Sequence, residues 1–103
     1  MSVIMRIIQK YDIRHEKEFL KLEERFLKLE KKKKDFPRAV RLKPISGGES
    51  TNTLIWECKF KNLVEARESL DYFHGDAEHE ELSTKQTPYL LEQKIEFYEH
   101  LFE

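Results

Sequence analysis

Residues 53–60, TLIWECKF, decide the fold because their side chains alternate between two rows. One row is apolar and the other is mixed; they are Leu54, Trp56, Cys58 and Phe60, and Thr53, Ile55, Glu57 and Lys59. A repeat of two residues is typical of a β-strand with one buried face. The stretch therefore predicts a strand that packs its apolar row against a core and turns its mixed row away from that core.

The same alternation marks both ends of the chain. Residues 2–11, SVIMRIIQKY, predict the first strand, with Met5 on its core face. Residues 94–102, KIEFYEHLF, predict the last strand, with Ile95 and Phe97 on its core face. Because each strand again carries one apolar row, all three are expected in a sheet that buries one face.

Residues 38–45, RAVRLKPI, predict a further strand between the first and the third. Its alternation assigns Val40 and Leu42 to the core face and Arg41 to the opposite face. Pro44 lacks the backbone N–H that a central strand donates to its neighbour, so either this strand lies at an edge of the sheet or Pro44 marks its end.

Two long helices and a short one separate the strands. Residues 14–34 predict the first helix, because an apolar stripe recurs there at three- and four-residue spacing. The stripe consists of Phe19, Leu22, Phe26 and Leu29. Asn62 is expected to cap the second helix and Gly75 to end it. Asp76 is then the expected cap of a short third helix, which residues 87–89, TPY, close.

The predicted order of elements is β-α-β-β-α-α-β over residues 1–103, which are expected to form one domain. This order matches the split β-α-β arrangement of ferredoxin-like proteins. The predicted fold class is therefore α+β, with a four-stranded antiparallel sheet and the helices on one of its faces.

Composition limits the compartment and the partners. A single cysteine, Cys58, excludes an internal disulfide and a cysteine metal cluster, and it fits the reducing cytoplasm. The N-terminal apolar run is too short for a signal peptide, and no stretch approaches the ~20 apolar residues that span a bilayer. Residues 1–46 carry 14 Lys and Arg against 7 Asp and Glu, whereas residues 47–103 carry 5 against 13. The two halves are expected to neutralise each other, within one chain or across a dimer.

Motifs of several other protein classes are absent. An RNA-recognition domain needs a glycine and aromatic motif on its third strand, and the mixed row Ile55, Glu57 and Lys59 lacks it. No glycine-rich nucleotide-binding motif and no nucleophile elbow occurs. The lysines of residues 31–34 are interpreted as a solvated helix end, where positive charge is stabilised by the helix dipole. We therefore expect neither a nucleic-acid partner nor a membrane partner.

The sheet face away from the helices carries apolar side chains among charges of both signs. A face exposed to water is usually more uniformly polar. The expected members of this face are Ile4, Arg6, Ile8, Arg41, Ile55, Glu57, Glu96 and Tyr98. This composition suits a second sheet packed against it, with Arg6 or Arg41 paired to Glu57 or Glu96. We therefore predict a homodimer; a monomer with scattered exposed apolar side chains is the alternative.

Residues 74–101, HGDAEHEELSTKQTPYLLEQKIEFYEHL, carry a resemblance to a known family. Together with the order of elements and the extra short helix, they resemble the dimeric α/β-barrel superfamily, and within it the NIPSNAP-like and antibiotic-biosynthesis-monooxygenase-like small proteins. In that superfamily the last helix opens with a similar acidic turn and the last strand is similar to IEFYE, residues 95–99. The resemblance implies two ferredoxin-like subunits whose sheets face each other, and a small-molecule pocket between sheet and helices in each.

The pocket that the resemblance implies would take its lining from the sheet and the second helix. The candidates are Trp56, Cys58, Tyr72 and Phe97. An aromatic residue such as Trp56 on an apolar row is more often part of the core, and Cys58 has no neighbouring group that would activate its thiol. The Asn, Trp and His set of the haem-degrading relatives has no counterpart here, since the first strand holds no Asn. We therefore expect no cofactor.

His79 is the candidate catalytic residue, because it holds the histidine position of the acidic turn that starts at Asp76. It can act as a base toward a ligand, or it can be a polar residue of a helix start that bonds a neighbouring carboxylate or water. The second interpretation is preferred. His74, Asp76, Glu78 and His79 surround a chain reversal, so some of their side chains must diverge and no metal site is expected.

Three functions stay open at this point. The first is a NIPSNAP-like dimeric α/β-barrel protein that binds a small apolar or aromatic molecule between sheet and helices. The second is a cofactor-independent monooxygenase-type enzyme of the same superfamily, in which His79 or a tyrosine handles a proton. The third is a structural interaction module without a ligand.

Overall fold

The computed structural model describes residues 1–103 as a four-stranded antiparallel sheet with three α-helices. The elements are β1 (Val3–Tyr11), α1 (Glu16–Lys32), β2 (Val40–Leu42), β3 (Thr53–Phe60), α2 (Leu63–Gly75), α3 (Ala77–Gln86) and β4 (Leu90–Glu99). Short 3-10 turns precede α1 and β4. The strand order in the sheet is β2-β3-β1-β4. The order of elements along the chain and the order of strands in the sheet confirm the predicted α+β ferredoxin-like class.

The helices pack on one face of the sheet, which we call the helix face, and enclose the core there. Met5 and Trp56 of the sheet meet Phe26 of α1, Phe73 of α2 and Leu82 of α3, all of them buried. Burying an apolar side chain of this size stabilises the fold by about 1.5–3 kcal/mol. None of the three helices is long and apolar enough to cross a membrane.

Two predicted helix caps are formed. The side chain of Asn62 accepts a hydrogen bond from the backbone N–H of Glu65, and that of Asp76 accepts one from the backbone N–H of His79, both at 2.9 Å. Asp76 also closes α2, because its own N–H donates to the carbonyl of Phe73. A cap of this kind contributes about 1 kcal/mol. The start of α3, and with it the position of His79, therefore depends on Asp76.

β2 has the opposite orientation to the one predicted. Arg41 pairs with Trp56 of β3 and lies on the helix face, whereas Val40 and Leu42 lie on the other face. The physical reason is that two buried glutamates of α1 need a cation between them, and an unpaired buried charge is costly. The assignment of Arg41 to the face predicted to form the dimer was therefore wrong.

β4 is displaced toward the N-terminus relative to the prediction. It begins at Leu90, four residues early, and ends at Glu99, three residues early. β1 has nine residues and pairs with β4 along its whole length. The hydrogen bonds to β1 therefore keep residues 90–93 in β4, although these residues do not alternate clearly between apolar and polar. Ile95 and Phe97 lie on the helix face, as the alternation predicted.

Candidate ligand pocket

A cavity of about 150 Å³ lies between the helix face of the sheet and the three helices. Its apolar lining consists of Ile7, Phe26, Trp56, Leu70, Phe73 and Ile95. Protein interiors contain few voids larger than a water molecule, and an apolar cavity of ~150 Å³ is known to hold a benzene molecule. The structure therefore offers space for one aromatic ring.

Two buried glutamates of α1 hold Arg41 at this cavity. Nε of Arg41 donates to Oε2 of Glu23 at 2.6 Å, and its two Nη atoms donate to the oxygens of Glu30 at 3.1 and 2.6 Å. Only 12% of the Arg41 side chain is exposed, with 8% for Glu23 and 5% for Glu30. We call these three residues the triad. Because two carboxylates surround one guanidinium, the triad has an excess of one negative charge.

The helical repeat explains why both glutamates reach Arg41. Glu23 and Glu30 are seven residues apart, which is close to two turns, so they project from the same side of α1. Each follows a buried phenylalanine by four residues and thus lies on the buried stripe. Trp56 Nε1 donates to Glu30 at 3.3 Å and Gln86 Nε2 donates to Glu23 at 2.9 Å. The carboxylates are therefore held by neutral donors as well as by Arg41.

Arg41 stays charged in spite of its burial. Taking charges out of water costs several kcal/mol per ion unless close partners compensate. Burial of the Arg41 guanidinium acts to lower its pKa, but the hydrogen bonds with Glu30 and the charges of both glutamates outweigh this effect and raise the pKa. Arg41 is therefore a permanent cation between two carboxylates.

His79 of α3 turns its ring to the same cavity. The ring stacks on Phe73 with 4.9 Å between centroids and 12° between planes, and Phe26 lies 4.9 Å away. Nδ1 of His79 is buried without a hydrogen-bond partner. An unpaired buried group of this kind costs about 1–3 kcal/mol. Burial lowers the pKa of His79 although Glu30 and Glu80 act to raise it, so the ring is neutral at pH 7.

The acidic side chains of the turn before His79 form ion pairs with Lys33. Lys33 Nζ lies 3.2 Å from a carboxylate oxygen of Asp76 and 3.0 Å from one of Glu78. Asp76 bonds His79 only through the backbone N–H, so the imidazole does not pair with a neighbouring carboxylate as the preferred interpretation expected. No group of three His, Cys, Asp or Glu side chains is placed to hold a metal ion.

The other sequence candidates separate into one that lines the cavity and three that do not. Trp56 lines it. Cys58 lies in the core, where its Sγ donates to the carbonyl of Arg38 at 3.2 Å, and burial raises its pKa to about 11, so the thiol is unreactive. Tyr72 is half exposed on the outer side of α2, and Phe97 packs against the core. The assignment of Cys58, Tyr72 and Phe97 to the lining is therefore corrected.

The triad was missed from the sequence, although a signal for it exists. Glu23 and Glu30 fall on an otherwise apolar stripe of the predicted first helix. A carboxylate in such a position is buried, and a buried carboxylate requires a cation or several donors. This pattern indicates a cation on the helix face of the sheet, and Arg41 is that cation.

Solved structures resemble this architecture over nearly its whole length. A NIPSNAP domain protein from Burkholderia xenovorans is 19% identical, covering 99% of this chain and 97% of that chain, with a TM-score of 0.77. A NIPSNAP family protein from Agrobacterium tumefaciens is 11% identical over 99% and 96%, with a TM-score of 0.82. The chain has the NIPSNAP-type fold. A candidate antibiotic biosynthesis monooxygenase from Nitrosomonas europaea is 10% identical over 98% and 91%, with a TM-score of 0.71.

The NIPSNAP-type fold confirms the resemblance expected from the order of elements. No family model and no curated protein matches the chain. At such low identities a similar structure establishes the fold and not the activity. The function therefore rests on the residues of the cavity and of the uncovered side of the sheet.

The sheet side away from the helices is what we call the open face of this NIPSNAP-type fold. It carries Ile4, Arg6, Val40, Leu42, Ile55, Glu57, Glu96 and Tyr98. Ile8 points to the same side but is only 7% exposed, because residues 48–50 of the β2–β3 loop lie beside it. The orientation of β2 thus adds two aliphatic side chains to the open face and removes an arginine from it.

Arg6 and Glu57 form an ion pair on the open face within one chain. Arg6 Nε donates to Glu57 at 2.7 Å, and its guanidinium lies 5.0 Å from the centre of the Tyr98 ring. The Tyr98 hydroxyl in turn donates to Glu96. The open face therefore combines exposed aliphatic side chains with one formed ion pair, Arg6 with Glu57.

Proposed function

We propose that this protein is a cytoplasmic homodimer that binds one small aromatic or apolar molecule between its sheet and its helices. The observation that carries the proposal is the half-open cavity of about 150 Å³ between the sheet and the three helices, with its six apolar lining residues. Phe26, Trp56 and Phe73 contribute aromatic rings to the lining, and aromatic pairs stabilise each other by about 0.5–1.5 kcal/mol beyond their burial. An apolar lining with a few polar groups is the usual composition of small-molecule sites.

The fluorescence of Trp56 tests the cavity directly, because the chain has one tryptophan. Toluene is the probe, since it is one ring in size. We expect a saturable change in emission and a higher melting temperature, because a ligand that binds only the folded state stabilises it. Ile95→Phe fills the cavity and is expected to abolish both effects. Leu91→Phe is the matched control, since Leu91 lies on the same strand, outside the lining and 62% exposed.

The homodimer part of the proposal rests on the open face. Val40 and Leu42 are 55% and 43% exposed there, and the Arg6–Glu57 ion pair of this face is already formed, so covering the face would not leave these two charges unpaired. A stable interface buries about 800 Å² on each partner. Ile55→Glu is expected to yield a monomer by sedimentation, and Val64→Glu on the exposed side of α2 is expected to keep the dimer. A wild-type monomer at micromolar concentration would contradict the dimer and leave the cavity proposal standing.

A second function, that of a cofactor-independent monooxygenase, is favoured by one observation. The neutral ring of His79 lines the cavity, and its buried Nδ1 has no hydrogen-bond partner in the folded chain. In this function the imidazole takes a proton from an acidic aromatic substrate, and the carbanion forms a C–O bond to dioxygen. The resulting peroxide takes the proton back from the imidazolium and loses water, which leaves a quinone-type product with one oxygen atom from dioxygen. Oxygen uptake that His79→Ala removes, without loss of toluene binding, would support the enzyme. If no ring-sized probe binds, the structural interaction module is the function that survives.

A further inference from the structure

The triad carries a charge that no other group of the cavity balances. The ionisable side chains of the lining are Glu23, Glu30, Arg41, His74 and His79. His79 is neutral because burial lowers its pKa. His74 lies at the rim with 79% of its side chain exposed, 3.6 Å from a carboxylate oxygen of Glu80. Two glutamates and one arginine therefore give the triad a formal charge of −1, and the lining holds no second arginine or lysine to balance it.

The cavity offers surfaces that a cation can use. Arg41 is the only arginine of the lining and no lysine is present there, and its Nε and both Nη atoms are engaged by the two glutamates. Trp56 and Phe73 present aromatic rings, and a cation within about 6 Å of a ring centre is attracted to it, most strongly by tryptophan. A positive ligand group would thus meet both a negative charge and aromatic faces.

We infer that the ligand is a monocation, an aromatic ring bearing a protonated amine, with its ammonium group beside the triad and its ring against Trp56 and Phe73. The inference rests on the proposed small-molecule function and adds the charge of the ligand to it. The ammonium group supplies the counterion that the triad lacks, and the ring fills a space of the matching size. An anionic ring would place a second uncompensated negative charge in the same poorly hydrated space, so it is disfavoured.

Three probes with the same ring and different charges test this inference at pH 7. They are benzylamine, benzyl alcohol and benzoate, with charges of +1, 0 and −1, and their dissociation constants are measured by calorimetry. We expect benzylamine to bind about tenfold tighter than benzyl alcohol, which corresponds to about 1.4 kcal/mol. Benzoate is expected to bind most weakly. Equal binding of benzylamine and benzyl alcohol, or tighter binding of benzoate, would overturn the inference.

A matched pair of variants locates the charge. Glu23→Gln removes the excess negative charge and is expected to bring the ratio of the two dissociation constants, benzylamine against benzyl alcohol, to about one. Glu57→Gln removes a carboxylate from the open face and is expected to keep the wild-type ratio. If the first variant does not fold, the comparison of three probes on the wild type still decides.

The binding results distinguish a wrong ligand charge from a wrong proposed function. Binding of benzyl alcohol without preference for benzylamine overturns only the inferred charge of the ligand. Absence of binding by all three probes overturns the proposed function together with this inference.

Discussion

Two arginines on opposite faces of one sheet meet the same kind of partner in different surroundings. On the helix face, Arg41 lies between Glu23 and Glu30 and is 12% exposed. On the open face, Arg6 pairs with Glu57, and their side chains are 42% and 25% exposed. The chemistry of the contacts is alike, whereas the access of water differs.

This difference shows that burial decides what an ion pair does in this molecule. An exposed pair contributes about 0–1 kcal/mol, because water competes with both partners. A buried pair loses several kcal/mol when one partner is removed, because the other is left charged without compensation. The helix face therefore uses its charges to fix the core and to set the electrostatics of the cavity. The open face uses its charges to neutralise a surface.

The largest expected effect distinguishes the two arginines. Arg41→Met should lower the free energy of unfolding by about 3–5 kcal/mol, because two buried carboxylates lose their cation. In the monomer, Arg6→Met should lower it by no more than about 1 kcal/mol, because Glu57 remains in contact with water there. Urea denaturation followed by circular dichroism measures both. Equal losses for the two variants would remove the distinction between the faces.

Removal of a neutral hydrogen-bond donor of the triad should lower the free energy of unfolding less than removal of Arg41. Trp56→Phe removes the Nε1–H bond to Glu30 and should lower the free energy of unfolding by about 1.5 kcal/mol, as expected for a bond to a charged acceptor. Tyr98→Phe on the open face removes an exposed hydroxyl and should change stability little. The same denaturation experiment applies, with circular dichroism as the signal since the tryptophan is lost. A larger loss for Tyr98→Phe would contradict the ranking of the faces.

The pH dependence of stability should reveal the buried imidazole. The pKa of His79 is lowered in the folded protein from its ordinary value of 6.5, so the unfolded chain takes up a proton first as the pH falls. The neutral His79 ring therefore contributes to the free energy of unfolding above pH 6.5. This contribution is lost as the pH falls below 6.5, at up to about 1.4 kcal/mol per pH unit. His79→Phe should remove that slope between pH 7.5 and 5.5. Ser83→Ala, another lining side chain, should keep it.

The smallest effect concerns the pair on the open face. A double-mutant cycle on Arg6 and Glu57 should give a coupling of about 0.2–1 kcal/mol at low salt, decreasing as salt screens the charges. If the open face is covered by a second subunit, the coupling should increase at protein concentrations where the dimer forms. Coupling of several kcal/mol in the monomer would contradict the description of this face as exposed.

Long periodic segments of the sequence predicted the fold well. The two rows of residues 53–60 and the apolar stripe of α1 each repeat several times, so the buried side follows from the repeat itself. The cap at Asp76 also followed from its residue type and its position before an acidic turn. These features depend on local chemistry, which a sequence contains.

β2 could not be oriented in this way. The strand has only three residues, and alternation over Val40, Arg41 and Leu42 is compatible with either orientation. The choice depends on what lies opposite, and Glu23 and Glu30 of α1 lie there. Two glutamates on the buried stripe of α1 require a cation nearby, and this requirement predicts that Arg41 of β2 lies on the helix face.

The position of the cavity and most of its lining residues could not be predicted from the sequence. Trp56 and Cys58 belong to the same row of β3, yet only Trp56 faces the cavity. A gap in packing arises from the relative placement of helices and sheet, and residue types do not encode its position. The volume available to a ligand is therefore a property of the assembled domain.

Asp76, which both ends α2 and caps α3, has a consequence for how homologous chains can vary in length. No linker separates the two helices, and one residue added to a helix turns the following residues by about 100°. An insertion at this junction would rotate α3 and carry His79 away from Phe73. Insertions and deletions in homologues are therefore expected in residues 43–52, the loop between β2 and β3, while the length of the α2–α3 junction stays fixed.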